Sequence, residues 1–276
     1  MSRADVSILK IEHLSYRYPT GQLALCDVSI SVGLHDVVGL IGPNGAGKTT
    51  LLMHTNGLLT GTRENVGAET ASTGEGAQAN GVASAAVEVL GMPVIPANFA
   101  EVRQNVGLLF QDPDDQLFCA TVREDVAFGP LNLEFPREEV VRRVDEALAA
   151  VGLSDVKDRP PQQLSFGEKR RVCLAGVLAC EPSLLALDEP SSNLDPRARR
   201  GLINILKTCK AAQMIASHDL ELVAELCSRV IVLDQGRIRA DGPTGEILAD
   251  ERLMSRHGLE VPLSIRYGMW RDSPAQ

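Results

Sequence analysis

The chain has 276 residues, 44% apolar, 23% charged and 4% aromatic, a balance that fits a globular protein of one large or two small domains with a core of Leu, Val, Ile and Ala. Its net charge of -9 argues against binding nucleic acid by blanket electrostatics, so no nucleic-acid partner is expected.

In chain order, the first forty residues read as strands: 24–32 alternates and 37–41 is an apolar run before glycine, the mark of a strand buried on both faces. A helix is predicted from Lys48 to about Gly57, a natural C-cap. Residues 62–86 change character: 16 of these 25 are Ala (7), Gly (4) or Ser/Thr (5), and none is aromatic. So little apolar surface cannot hold a fixed shape, and a flexible surface insertion is expected there. One strand is predicted over 86–94 and another over 105–110. Residues 136–151 predict a helix with Val140, Val144, Leu148 and Val151 in one stripe, Pro136 at its start and Gly152 at its end. A second helix follows Ser165. Residues 184–187 predict a buried strand leading into Asp188, and Asp195-Pro196 is a strong helix start. The segments 214–216, 219–227 and 230–233 repeat the strand–helix–strand rhythm, and after Gly242 a moderate helical pattern fades. Strands alternating with helices predict an α/β fold with a largely parallel sheet.

No run predicts a membrane span. Residues 82–100 carry only one charge, Glu88, but Gly91, Pro93, Pro96 and Asn98 interrupt them, and the N-terminal MSRADVSILK lacks the apolar centre of a signal peptide. The six cysteines form no CxxC pair and are expected to be structural thiols in a reducing cytosol rather than a metal site.

Three segments carry chemistry. Gly42-Pro43-Asn44-Gly45-Ala46-Gly47-Lys48-Thr49 fits G-x-x-x-x-G-K-S/T between a predicted strand and a predicted helix. Its glycines let backbone N–H groups turn towards phosphate oxygens, Lys48 can reach the β- and γ-phosphates, and the Thr49 hydroxyl can ligate Mg²⁺. Asp188-Glu189 closes an apolar strand where an α/β sheet places its ligand, with Asp188 suited to the Mg²⁺ shell and Glu189 to polarising water. Leu164-Ser165-Phe166-Gly167-Glu168 lies just upstream, with Ser165 placed 23 residues before Asp188 at a helix N-cap.

With these segments the chain resembles the ATP-binding-cassette (ABC) ATPases over about residues 6–240. The resemblance implies a P-loop NTPase cassette with an antiparallel β subdomain and a helical subdomain at about 112–180, followed by a C-terminal extension at 241–276. Residues 164–168 resemble the Leu-Ser-Gly-Gly-Gln signature, which caps the γ-phosphate of ATP held by the opposite subunit. Leu164, Ser165 and Gly167 match, while Phe166 and Glu168 depart. By position, Gln111 matches the Q-loop glutamine that senses Mg²⁺, Asp195 the D-loop, His218 the switch histidine and Tyr18 the aromatic that stacks on adenine. The implied cofactors are ATP and Mg²⁺. Glu189 and His218 are the implied catalytic residues. Tyr18, Gly42, Asn44, Gly45, Gly47, Lys48, Thr49, Thr50, Gln111, Ser165, Gly167, Glu168 and Asp195 are the implied nucleotide contacts, and Thr49, Gln111 and Asp188 the implied metal ligands. His13, His35, His54 and His257 match nothing and read as surface or core residues.

The segments 110–118 and 174–179 resemble more narrowly the ATPases of energy-coupling-factor importers, including the cobalt and nickel group, although the insertion departs from that group. The implied function is the ATP-binding subunit of an importer of a metal ion or vitamin. It would pair with a second ATPase subunit and with separate transmembrane subunits at the cytoplasmic face of the cell membrane. The alternatives are a soluble ABC-type ATPase acting on nucleic acid or ribosomes, and an exporter ATPase. Against the first, Lys48 and Ser165 are only 117 residues apart and no heptads lie between them. Asp112, Asp114 and Asp115 crowd after Gln111, with Leu117 and Phe118 following. The resemblance makes this segment a groove for a membrane-subunit helix, its acids meeting basic side chains.

Overall fold

The computed structural model describes residues 7–63 and 86–270. Two long strands, β1 (Ser7–Arg17) and β2 (Leu23–Gly33), pair antiparallel. β3 (Val37–Ile41) is the expected apolar strand, and α1 (Lys48–Thr55) follows it as expected. The expected insertion at 62–86 is framed by structure: β4 (Thr62–Arg63) pairs with β1, and Ala86 is buried. Residues 64–85 lie outside the described residues.

The single strand predicted over 86–94 is instead a hairpin. β5 (Val87–Val89) and β6 (Met92–Pro93) turn at Leu90 and Gly91, whose φ of 50° and 77° suit a two-residue hairpin loop. A helix absent from the sequence reading, α2 (Phe99–Asn105), comes before β7 (Val106–Leu109); with seven residues it is too short to display a period.

Three helices then share one core: α3 (Val122–Asn132), α4 (Arg137–Ala150) and α5 (Phe166–Leu178). The α4 stripe is as predicted, with Val140, Val144, Leu148 and Val151 all buried and Gly152 left-handed at φ 68°. α3 went unpredicted because Gly129 and Pro130 sit in its last turn, yet its start is a reciprocal capping box between Thr121 and Glu124.

The chain continues through β8 (Leu184–Asp188), α6 (Pro196–Thr208), β9 (Ala212–Ala216), α7 (Leu220–Leu226), β10 (Arg229–Asp234) and β11 (Arg237–Pro243). Among the described residues, one sheet has the order β2-β1-β5-β6 with β4 also on β1, and the other β11-β10-β3-β9-β8-β7. The second is parallel except for β11. β8 and β9 are buried at every position, which is why 184–187 and 214–216 read as apolar runs. The architecture is therefore the expected α/β cassette with an antiparallel sheet and a helical layer.

Beyond residue 240, β11 is followed by three short helices where a moderate helical pattern was expected: α8 (Thr244–Ala249), α9 (Glu251–Arg256) and α10 (Leu263–Arg266). Leu248, Met254 and Val261 join the core over the parallel sheet, and Trp270 Nε1 donates to Ala224 O at 2.7 Å. All six cysteines are free thiols; burial pushes Cys173 up to about 12 and Cys180 up to about 11. Among the described residues no helix is long and apolar enough to cross a membrane.

Candidate active site

The turn from β3 into α1 can be built only with glycine at two places. Gly42 has φ 152°, and a Cβ there would stand 1.9 Å from Leu233 O; Gly47 has φ 106°, with Ala24 O 2.6 Å from any Cβ. The loop wraps Lys48, whose Nζ donates to Gly42 O at 2.8 Å and Pro43 O at 3.1 Å. Burial lowers the Lys48 pKa, while the Glu189 and Asp188 carboxylates pull it back up.

β8 delivers the acids. Thr49 Oγ1 donates to Asp188 Oδ2 at 2.7 Å. Asp188 Oδ1 is buried and finds no hydrogen-bond partner among the described residues. Burial raises the Asp188 pKa above the usual carboxylate range, with the Thr49 hydrogen bond opposing. Glu189 takes a left-handed φ of 46°, and its N–H donates to Ala216 O at 2.8 Å. Its Oε2 lies 2.6 Å from His218 Nδ1 and accepts the His218 backbone N–H at 3.2 Å.

A cleft of about 480 Å³ is lined by Tyr18, Asn44, Gly45, Gly47, Lys48, Thr49, Thr50, Gln111, Asp188, Glu189 and His218. Gly42 is not part of its lining but holds Lys48 through its carbonyl. The Tyr18 hydroxyl shares a hydrogen bond with Thr50 Oγ1 at 2.9 Å, and its ring meets Tyr16 edge-on at 5.1 Å. Gln22, Ala24 and Ala46 also line the cleft. Sequence reasoning missed them, because only the folded position of β2 and the bend of the loop bring such ordinary residues there.

Ser165, Gly167, Glu168 and Asp195 do not reach this cleft within one chain; they form a second group where α5 and α6 begin. Ser165 and Glu168 make a capping box in which Glu168 Oε2 accepts from Ser165 N at 2.9 Å and Ser165 Oγ at 2.7 Å. Those bonds hold the Glu168 carboxyl below its ordinary pKa. Asp195 caps α6 by accepting from Ala198 N at 2.9 Å. A Cβ on Gly167 would lie 3.3 Å from Ala198 Cβ, so the two helix starts touch.

The acidic segment divides. Asp112 Oδ1 accepts from Asp114 N, and Asp114 pairs with Lys169 of α5 at 2.7 Å, leaving Asp115 as the one carboxylate of the three with neither a hydrogen bond nor an ion pair among the described residues. Leu117 packs between two cores, whereas Phe118 is 63% exposed and meets Phe128 edge-on at 4.7 Å. Of the unmatched histidines, His54 is buried with Nδ1 on Thr50 O at 2.7 Å, His13 and His257 pair with Asp27 and Asp234, and His35 is exposed. Among the described residues, no cluster of three or more His, Cys, Asp or Glu could hold a metal ion.

Comparison with known proteins adds the following. The family described as ABC transporter matches residues 25–192. A putative ABC transporter ATP-binding protein of Streptomyces coelicolor is 48% identical over 254 residues, 92% of this chain and 90% of that relative. The energy-coupling factor transporter ATP-binding protein EcfA of Carboxydothermus hydrogenoformans is 40% identical over 261 residues, 94% of this chain and 88% of the relative. Among solved structures, cbiO1 of Clostridium perfringens, described as part of the ABC transporter complex cbiONQ, superposes with a TM-score of 0.73 at 33% identity, covering 96% of this chain and 99% of its own. A dimeric post-hydrolysis ATP-binding cassette, MJ0796 bound to ADP and Pi, shares the fold at 21% identity, with a TM-score of 0.72 over 86% of this chain and 98% of its own.

Proposed function

The chain belongs to the ABC transporter family as an ATP-hydrolysing, ATP-binding subunit, and from that premise we propose that it powers an importer of the energy-coupling-factor type. The observation that carries the importer reading is the 40% identity with an EcfA over nearly the whole chain. The cargo is a metal ion, cobalt or nickel, or a vitamin, chosen by a membrane component. The protein works peripherally at the cytoplasmic face of the membrane, with its transmembrane subunits as separate polypeptides.

In this reading the backbone N–H groups of residues 42–49 and the Lys48 ammonium receive the phosphates, and Tyr18 offers its ring to adenine. The unpartnered buried Asp188 Oδ1 beside the Thr49 hydroxyl fits a magnesium ion, which Thr49, Asp188 and Gln111 would hold. When bound, the ion neutralises charge on the β- and γ-phosphoryl oxygens. Glu189 accepts the proton of the attacking water, and His218 fixes the Glu189 carboxylate through the 2.6 Å contact. Ser165, Gly167, Glu168 and Asp195 serve the ATP of a second ATPase subunit, of the same or another kind, docked head to tail.

Two further results are expected. Glu168 brings a carboxylate to the start of α5, where it opposes an incoming phosphate. Glu168→Gln keeps the capping geometry, removes that charge and should lower the KM for ATP about 3-fold. Steady-state ATPase assays read this, and an unchanged KM would leave Glu168 as a helix cap alone. Asp115→Arg with Phe118→Ser spares the Asp114–Lys169 pair and should leave basal ATPase within about 2-fold while abolishing recovery of the protein with membrane subunits. Intact assembly would remove this segment from the docking surface.

The importer reading is tested by purifying tagged protein from detergent-solubilised membranes. Integral membrane proteins that confer cobalt, nickel or vitamin uptake are the expected companions. Recovery with ribosomes or DNA and no membrane protein would favour the soluble alternative.

A further inference from the structure

Arg170 heads the fully buried side chains of the described residues by size, with 0% exposure, and no carboxylate pairs with it there. Burying a guanidinium without an ion pair is costly, and here its Nε is left without an acceptor among the described residues. The hydrogen bonds it does make all go to main chain. Nη1 donates to Phe110 O, and Nη2 to Gln111 O and, at 3.2 Å, to Glu189 O. Phe166, one turn earlier on α5, sets its ring 5.7 Å from the guanidinium carbon, within cation–π range. Phe166 is also where the chain departs from the Leu-Ser-Gly-Gly-Gln pattern.

The three carbonyls belong to the segments that leave β7 and β8, the two that bring Gln111 and Glu189 to the cleft. Glu189 is a non-glycine residue at φ 46°, a conformation that persists only where its surroundings hold it. Its N–H is fixed by Ala216 O, and its C=O accepts both from Arg170 and from the Ser192 backbone N–H at 3.1 Å, so both peptide planes flanking its Cα are anchored. With the guanidinium gone, that carbonyl keeps only the Ser192 N–H of its own turn and loses its tie to α5, so Glu189 can relax towards the right-handed region and its carboxylate turn away from His218.

We propose that Arg170 is a positioning residue for hydrolysis: by gripping the carbonyls of Gln111 and Glu189 it holds both side chains towards the nucleotide and ties their placement to α5, the helix that starts at Ser165. This rests on the assignment of Gln111 and Glu189 to ATP turnover. Lysine keeps the charge but offers one nitrogen where the planar fork offers two. A nucleotide-binding role is not implied, because Arg170 does not line the cleft.

The test measures kcat, the Kd for a fluorescent ATP analogue and the thermal midpoint of the full chain carrying Arg170→Lys or Arg170→Met. Arg170→Lys should lower kcat about 10-fold and Arg170→Met about 100-fold, both with Kd within about 2-fold of the parent. If the methionine variant fails to fold, the lysine variant carries the test. In a Gln111→Ala background, Arg170→Lys should cost much less than its 10-fold, since both changes act on one segment. Wild-type kcat in Arg170→Lys, a parallel collapse of Kd and thermal midpoint with kcat, or a fully multiplicative double variant would each overturn the proposal. Absence of ATP turnover in the unsubstituted protein would instead defeat the functional reading on which it rests.

Discussion

Glu189→Gln is expected to reduce ATP turnover by about 100-fold or more, the span that a positioned general base contributes, while ATP stays bound. The amide preserves the shape of the side chain and its bonds to the neighbouring backbone, so the cleft is not disturbed. What it loses is the basicity needed to take a proton from water. With hydrolysis blocked and ATP retained, two subunits closed around their nucleotides should remain associated. Gel filtration with MgATP is expected to show a dimer in the variant where the parent runs as a monomer after turnover. Turnover near the parental rate would remove Glu189 from the chemistry.

Lys48→Ala is expected to act on the opposite step. Lys48 Nζ, held against Gly42 O and Pro43 O, is a buried ammonium aimed into a loop of backbone donors. Removing a charge-assisted contact of this kind costs about 2 kcal/mol, or roughly a 30-fold rise in the Kd for ATP. Titration with a fluorescent ATP analogue measures it. The two variants should therefore separate: Glu189→Gln binds without turning over, and Lys48→Ala fails at binding. Equal affinity in Lys48→Ala and the parent would mean that the loop's backbone alone holds the phosphates.

The parts of the molecule legible in sequence are those in which one residue type has one physical use. Gly42, Gly47 and Lys48 announce their loop because left-handed backbone and close approach leave only glycine for the first two. β8 and α4 were legible because burial on both faces, or along one stripe, writes itself into consecutive or periodic residues. α3 was obscured by Gly129 and Pro130, and the turn at Leu90 and Gly91 divided what composition presents as one strand.

At the site the limit was different. Tyr18, Gln111 and His218 reach the same cleft from separate elements, and only resemblance had grouped them. Asp114, expected with its neighbours to meet basic side chains of a membrane subunit, pairs with Lys169 of its own chain, 55 residues further on, a pairing that no local rule exposes. Arg170 would be read as a solvated helix residue, since arginine is rarely buried without a carboxylate. Its use depends on three carbonyls that only the folded sheet brings together.

The central claim, that ATP hydrolysis at this cleft drives import, is tested most directly by reconstituting the protein with its co-purifying membrane subunits in vesicles and following labelled cobalt, nickel or vitamin. The account predicts accumulation that requires MgATP on the side carrying this subunit and is lost with Glu189→Gln. Accumulation that persists undiminished with Glu189→Gln would contradict it.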